Sequence, residues 1–377
     1  MHVGFTPAQE KLRASLREYF ASLMTPALRA SLTDPTGEYG DGAAYRQIVR
    51  QLGRDGWLTI GGRPRLEQLI FADEAALAGV PVPFLTLYTV GPTIARHGSA
   101  EQRATLVPRI EAGEVHFSIG YSEPSAGTDL ASLRTRAVRD GDDYVITGQK
   151  MWTSLIQYAD YVWLACRTDP DAPRHKGLSI LIVPTDAPGF SWTPVRTVAG
   201  PSTSATYYDD VRVPVTALVG EENQGWRLIT DQLNHERVAL TSAAPLQRAL
   251  REVRDWAATT GALDREWVRL HLARVHAKTE ALKLFNWRAC VQDGAPAAPL
   301  ASAGKVYGTE LAIEAYRLLM EVIGPAATVR EGSPGAVLAG RIERMYRASL
   351  ILTFGGGANE VQRDIIAAGA LGLPIKR

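Results

Sequence analysis

A glutamate on an otherwise apolar helix face is the residue of this sequence best placed to do acid–base chemistry. The residues of that face recur at spacings of three and four: Trp226, Ile229, Leu233, Glu236 and Leu240. A carboxylate on a buried face must be paired or its pKa rises, and a raised pKa suits a base that works near neutral pH. The pattern is therefore compatible with a general base at Glu236. The alternative is an ordinary ion pair with Arg237 or Arg341.

Three further segments stand out by their composition. Residues 120–132 read Gly-Tyr-Ser-Glu-Pro-Ser-Ala-Gly-Thr-Asp-Leu-Ala-Ser, residues 148–154 read Gly-Gln-Lys-Met-Trp-Thr-Ser, and residues 355–363 read Gly-Gly-Gly-Ala-Asn-Glu-Val-Gln-Arg. Taken alone, the first is equally compatible with a plain turn, and Trp152 is compatible with a core tryptophan. Together with Asn-His-Glu-Arg at 234–237 they form four signals in a fixed order, which is more specific than any one of them.

The elements that must position these segments change type twice along the chain. Residues 6 to about 114 show the hydrophobic period of helices, residues from about 116 to 219 show short β-branched and aromatic runs, and the helical period then returns. Long helices are predicted at 225–257, 264–291, 299–323 and 335–353. We predict an α+β chain with an N-terminal helical domain (1–115), a middle antiparallel β-barrel or sandwich domain (116–220) and a C-terminal four-helix bundle (221–377).

The composition disfavours several classes of protein and of site. Lys and Arg number 41 against 40 Asp and Glu, so no basic excess is available to neutralise the phosphates of a nucleic acid. Cys166 and Cys290 provide neither a disulfide framework nor a thiolate cluster, and no metal site is expected. No signal peptide is expected, and no apolar run approaches the roughly 20 residues of a membrane span. We therefore expect a soluble, cytoplasmic protein without membrane contact.

Taken in their order, the four segments make the sequence resemble the acyl-CoA dehydrogenase family over essentially its whole length. Members of this family desaturate a CoA thioester between the α and β carbons and use FAD as the hydride acceptor. The resemblance implies an acyl-CoA substrate, FAD as cofactor, and an electron-transfer flavoprotein as the electron acceptor.

The resemblance assigns the segments at 120–132 and 148–154 to the cofactor. Tyr121 and Ser122 would present backbone and hydroxyl groups to the isoalloxazine, and Thr128 would reach the substrate and the flavin phosphates. Trp152 would pack against the flavin ring, and the Ser154 hydroxyl would approach its N5 edge. The residues expected to bind FAD are Ile119, Tyr121, Ser122, Gly127, Thr128, Trp152, Thr153, Ser154, Ala358 and Glu360. Those expected to contact the substrate are Thr128, Asn234, Arg237, Gly356 and Gly357.

The position of the base is the main question that the resemblance raises. Many family members carry the catalytic glutamate in a C-terminal Tyr-Glu-Gly-Thr loop, whereas the loop here reads Phe-Gly-Gly-Gly-Ala and places Gly356 at that position. A minority carries the base on a helix in an Asp-x-Glu-Arg context, which residues 234–237 match with Glu236. The resemblance then implies that Glu236 removes the α proton while the β hydrogen leaves as hydride. The main-chain N–H at 356 would still polarise the thioester carbonyl.

Two elements that reach the FAD of a neighbouring subunit in this family are altered here. Residues 247–260 lack an arginine followed three residues later by phenylalanine, and residues 321–325 read Glu-Val-Ile-Gly-Pro where the family has Gln-x-x-Gly-Gly. The sequence resembles most the subunits of bacterial α2β2 steroid side-chain acyl-CoA dehydrogenases, in which a paralogous subunit completes the FAD site. That resemblance implies a bulky steroid side-chain acyl-CoA as substrate. The alternative is a homotetramer that binds FAD with other residues.

Two other functions remain open on the same fold. No residue distinguishes a dehydrogenase from an acyl-CoA oxidase, in which oxygen reoxidises the flavin. A non-catalytic scaffold subunit that completes the site of a paralogue is the other alternative. The intact flavin-facing segments at 120–132 and 148–154 argue against the scaffold.

Overall fold

The chain has 377 residues, and a computed structural model describes most of it. The described ranges are 4–32, 42–198, 200, 203–239, 241–291 and 298–374, and side chains are described in them except at 60 and 234–239. In these ranges no helix is both long enough and apolar enough to cross a membrane.

The N-terminal region is helical, as predicted. Its helices are α1 (Pro7–Leu23), α2 (Pro26–Ser31), α3 (Ala43–Arg54), α4 (Arg65–Ala78), α5 (Gly91–His97) and α6 (Ala100–Glu111), with a π-helix at Thr86–Val90 before α5. Thr6 and Ser99 begin α1 and α6 with capping boxes. Phe20 of α1 and Phe71 of α4 meet edge to face in the core, with ring centroids 5.7 Å apart.

The middle region forms a seven-stranded sheet in the described part of the chain. Its strands are β1 (Phe117–Gly120), β2 (Arg136–Asp140), β3 (Asp143–Lys150), β4 (Tyr161–Arg167), β5 (Leu178–Pro184), β6 (Phe190–Val195) and β7 (Thr203–Pro214). The strand order is β1-β4-β2-β3-β7-β6, and β5 pairs with β4 on its other side. The sheet begins directly after α6. Two of the four sequence segments lie at the ends of its strands, 120–132 at the end of β1 and 148–154 at the end of β3.

Most strand pairs are antiparallel, as predicted, but β4 also has parallel neighbours. The pairs β2–β3, β3–β7, β4–β5 and β6–β7 are antiparallel, whereas β1 and β2 run parallel to β4. A parallel pair needs a long crossover connection, and residues 121–160 supply it between β1 and β4. This crossover contains both of the segments that the sequence assigns to the cofactor.

The C-terminal region is a helical bundle around one central helix. Its helices are α7 (Gly225–Ala239), α8 (Ala244–Thr259), α9 (Glu266–Val291), α10 (Ala298–Ile323), α11 (Arg341–Ser349) and α12 (Asn359–Leu371). Helix α10 packs against each of the others, and apolar residues of α8, α9, α10 and α11 form one core.

Two predicted bundle helices have different bounds in the structure. The helix predicted at 225–257 is two helices, because the Ser242 hydroxyl accepts the Ala244 N–H at 3.1 Å and Pro245 lies in the first turn of α8. The helix predicted at 335–353 begins only at Arg341, since Gly340 before it has a φ of 70°.

Candidate active site

A buried ion pair fixes the loop that follows β1. Lys150, at the end of β3, donates to the Tyr121 carbonyl at 3.0 Å and to Glu123 Oε1 at 2.9 Å. The Glu123 carboxylate also accepts the main-chain N–H groups of Arg134 and Thr135 at 2.7 and 2.8 Å. Burial alone would raise the pKa of Glu123, but the Lys150 charge and these hydrogen bonds together hold it below its ordinary value.

The same loop is joined to the second cofactor segment through the main chain. Met151 N donates to the Ser122 carbonyl at 2.8 Å, so the structure brings the two predicted flavin-facing segments together. Ile119 and Ser122 are half-buried beside this junction, and Thr128 is exposed. A Cβ at Gly127 would meet no heavy atom within 4 Å, so packing within the described chain does not require glycine there.

Trp152 lies on the surface and not in the core. Its side chain is 54% exposed, and its backbone has a φ of 67°, which is unusual for a bulky residue. The alternative of a core tryptophan is therefore wrong. Thr153 beside it is fully buried, and the Ser154 hydroxyl lies 3.2 Å from Thr203 Oγ1 while its carbonyl accepts the Ser118 hydroxyl at 2.9 Å. The flanking residues anchor a turn that presents an aromatic ring outward.

The Tyr121 side chain points away from this surface and into the core. Its hydroxyl donates to Gln232 Oε1 of α7, and Trp163 Nε1 lies 3.2 Å from both of those oxygens. Because its hydroxyl is buried, Tyr121 can contact a flavin only through its main chain. The role of Tyr121 in the cofactor site stays a prediction. Sequence reasoning missed Gln232, although a polar residue four positions before Glu236 on the same helix face was a visible signal.

The C-terminal glycine turn is fixed by a lysine of the central helix. Gly356 and Gly357 have φ values of 67° and 97°, which favour glycine. Lys305 of α10 is fully buried and donates to the Gly357 carbonyl at 2.6 Å and to Asn359 Oδ1 at 2.8 Å. Ala358 precedes the first residue of α12. Among the described residues, no hydrogen bond joins this turn to the two flavin-facing segments.

The predicted base lies on α7, outside the residues whose side chains are described. This holds for Asn234, Glu236 and Arg237 alike, and Glu360 of α12 is exposed. The described part of α7 buries Leu228, Ile229 and Gln232 on one face, and helical spacing continues that face to position 236.

The ion-pair alternative for Glu236 named Arg341 and Arg237 as partners. Arg341 Nε donates to Glu252 Oε2 at 2.7 Å, so this cation already has a carboxylate partner. Arg237 belongs to the undescribed side chains of α7. Among the described residues no cluster of His, Cys, Asp and Glu is suited to a metal ion.

Sequence models of one family match all three regions of the chain. The N-terminal domain of acyl-CoA dehydrogenase matches residues 6–114, its middle domain matches residues 118–211 and its C-terminal domain matches residues 223–371.

Individual relatives match over the full length. Acyl-CoA dehydrogenase FadE26 of Mycobacterium tuberculosis is 63% identical over 396 residues, with 99% of each chain covered. A chain of the ChsE4-ChsE5 complex from the same organism is 62% identical, with a TM-score of 0.93 and 100% of both chains covered. A chain of the Tcur3481-Tcur3483 steroid ACAD is 49% identical, with a TM-score of 0.94 over 100% of both chains.

Proposed function

The chain belongs to the acyl-CoA dehydrogenase family, and on this premise we propose that it binds FAD and dehydrogenates a bulky steroid side-chain acyl-CoA. The observation that carries the proposal is the junction of the two flavin-facing segments through Met151 and Ser122, with exposed Trp152 beside it. The steroid class of substrate is supported by the similarity to a steroid ACAD that covers both chains completely.

The residues at this junction fit a flavin. Hydroxyl groups of Ser122, Thr128 and Ser154 are donors for the ring and the phosphates, and Trp152 offers an exposed flat face. Gly127 leaves its side-chain position uncrowded by the described chain. When bound, FAD supplies the oxidised ring that takes up the β hydrogen as hydride.

The proton chemistry is assigned to Glu236. Helical spacing places position 236 on the face of α7 that buries Ile229 and Gln232. Burial of a carboxylate strengthens it as a base toward an α proton. An α proton of a thioester is too weakly acidic for an unaided carboxylate, so the carbonyl must be polarised in the same step. We assign that polarisation to the main-chain N–H of Gly356, whose turn Lys305 holds in place.

The assembly we propose is an α2β2 heterotetramer with a paralogous subunit, which passes electrons to an electron-transfer flavoprotein. Two similar structures are themselves complexes of two named components. Near the C-terminus, large apolar side chains are exposed: Leu350, Ile351, Phe354, Leu371 and Leu373. These exposed side chains are available for contact with a partner subunit. The partner would supply the FAD contacts that the altered segments at 247–260 and 321–325 no longer provide.

The direct test of the base is Glu236→Gln, compared with Glu266→Gln on the exposed first turn of α9. We expect Glu236→Gln to lower kcat by about 10²–10⁴-fold with FAD content retained, since that is the usual contribution of a general base. Glu266→Gln should match the native enzyme. Turnover within a few-fold of native in Glu236→Gln would reject Glu236 as the base and favour the scaffold alternative.

The test of the assembly is the FAD content and solution mass of the chain expressed alone and with a paralogous subunit. We expect little FAD in the chain alone and about one FAD per heterodimer after co-expression. Stoichiometric FAD in a homotetramer would exclude the paired-subunit assembly. Rapid reoxidation of the substrate-reduced flavin in air would instead indicate an oxidase.

A further inference from the structure

The π-helix at Thr86–Val90 lies between the flavin-facing loop and the N-terminal helices. The Thr86 hydroxyl accepts the main-chain N–H of Phe117 at 2.9 Å, at the start of the strand that leads into that loop. The π-helix also packs against α7, and its Tyr88 packs against the apolar core of α1, α3 and α4. Short π-helical turns occur frequently at functional sites. This segment therefore links the proposed cofactor contacts to the N-terminal region.

Two consecutive residues of the π-helix carry buried hydroxyl groups without a described partner. Tyr88 Oη and Thr89 Oγ1 are both buried, and neither forms a hydrogen bond with any described residue. Only 2% of Thr89 is exposed. A buried hydroxyl without a partner is costly, and most buried polar groups have one. The π-helix therefore offers hydrogen bonds to a polar group that the described chain does not supply.

A carboxylate of α4 lies near the Tyr88 phenol. Asp73 Oδ1 accepts the hydroxyl of Ser242 at 2.6 Å, which joins α4 to the turn before α8. Burial raises the pKa of Asp73 to about 6, although the bond from Ser242 lowers it. Asp73 is therefore mostly a carboxylate at neutral pH. Burial and then the Asp73 charge raise the pKa of the Tyr88 phenol, so the two groups interact.

A second phenol and carboxylate in the same region show what is missing between Tyr88 and Asp73. Tyr19 packs against the same core, and its hydroxyl donates directly to Asp55 Oδ2 at 2.6 Å. No hydrogen bond joins Tyr88 to Asp73. One oxygen that accepts from the phenol and donates to the carboxylate would complete this pair. A hydroxyl group does both, whereas a ketone only accepts and a second carboxylate would be repelled.

We propose that Tyr88 and Asp73 form a polar subsite that binds a hydroxyl group of the substrate, at the end of the acyl group remote from the thioester. This rests on the proposed function, in which the enzyme binds a bulky steroid side-chain acyl-CoA. The substrate hydroxyl accepts the Tyr88 O–H and donates to the Asp73 carboxylate. A steroid ring system is rigid, so a hydrogen bond at its far end fixes the whole acyl group at little cost in conformational entropy. The subsite thereby selects acyl groups that carry this hydroxyl.

The test compares two steroid side-chain acyl-CoA thioesters that differ only in a hydroxyl on the ring farthest from the thioester. In the FAD-loaded enzyme we expect kcat/KM to be about tenfold higher for the hydroxylated thioester, the effect of one buried hydrogen bond. Tyr88→Phe should abolish this preference by lowering kcat/KM for the hydroxylated thioester alone. Tyr19→Phe is the matched control, because its phenol already has a carboxylate partner, and it should keep the native preference.

A second variant tests the carboxylate. Asp73→Asn keeps the shape and an oxygen for the Ser242 hydroxyl but removes the charge. We expect it to lower the preference for the hydroxylated thioester by about tenfold as well. A purely structural role of either residue would lower the melting temperature and change kcat/KM for both thioesters alike. That result would overturn the subsite.

The results separate this inference from the proposed function. Equal kcat/KM for the two thioesters in the native enzyme would mean that water alone meets the Tyr88 hydroxyl, which overturns the subsite and leaves the dehydrogenase in place. An unchanged preference in Tyr88→Phe would overturn it in the same way. No turnover of either thioester by the FAD-loaded native enzyme would overturn the proposed substrate class, and the subsite with it.

Discussion

Two fully buried lysines hold the two halves of the candidate site, and their described partners differ in charge. Lys150 in the β region donates to the Tyr121 carbonyl and to the carboxylate of Glu123. Lys305 in the bundle donates to a carbonyl, that of Gly357, and to the amide oxygen of Asn359. Each lysine fixes one main-chain carbonyl of a functional loop. The β half adds a charge pair within its own region, whereas the described acceptors in the bundle half are neutral.

This difference indicates how each loop keeps its shape. The loop after β1 is tied by a carboxylate that bonds Lys150 and two main-chain N–H groups, so its conformation is set within the β region. The glycine turn before α12 depends on α10, because Lys305 of that helix donates to the carbonyl of Gly357, 52 residues later in the chain. A change in the bundle should therefore disturb the glycine turn before it disturbs the flavin-facing loop.

The largest effect is expected when the charge pair is broken. Lys150→Met leaves the Glu123 carboxylate buried without its cation, and breaking such a pair costs about 3–5 kcal/mol. We expect the free energy of unfolding in urea to fall by this amount. The double variant Lys150→Met with Glu123→Gln is the control, because it removes both charges and should recover part of the loss. An equal loss in the single and double variants would show that packing and not charge holds the loop.

A smaller effect is expected in the bundle half. Lys305→Met removes the donor to the Gly357 carbonyl and the Asn359 amide oxygen, and the loss of these bonds should lower the free energy of unfolding by about 1–3 kcal/mol. The glycine turn should be affected more than the flavin-facing loop, so kcat should fall while FAD content stays near native. A fall in FAD content that accompanies the fall in kcat would mean that the two halves are not held independently.

The order of the regions could be predicted from the sequence because it depends on local periods. Helical spacing before residue 115, short β-branched runs to about 219 and helical spacing afterwards all agree with the structure. Helix bounds were wrong where a single residue limits a helix, as Gly340 does at the start of α11. The parallel pairing of β1 with β4 was also missed, since a strand period does not reveal which strand lies beside it.

The candidate site could be predicted only as far as its motifs extend. The resemblance identified the segments that contain Ser122 and Trp152, and the structure joins those segments. The resemblance did not identify Gln232 or the inward direction of the Tyr121 hydroxyl, because these two residues lie 111 positions apart in the chain. Contacts of that kind depend on the packing of whole elements. The role of Glu236 stays a prediction, as its side chain lies beyond the described residues.

The smallest effect is expected at acid pH, where protonation of Glu123 should lower the stability of the folded protein. Burial raises the pKa of Glu123, but Lys150 and the bonds to Thr135 outweigh it, and the net pKa in the folded protein is below the ordinary 4.5. A carboxyl group with a depressed pKa contributes stability that is present above its unfolded pKa and is lost as the pH falls through the folded value.

The native protein and Lys305→Met should therefore both lose stability below about pH 4.5 through this group. Lys150→Met should show a weaker loss, because its Glu123 lacks the cation that depresses the pKa. Urea unfolding at pH 3 to 6 measures the three slopes. A slope in Lys150→Met as steep as that of the native protein would assign the acid sensitivity to carboxylates other than Glu123.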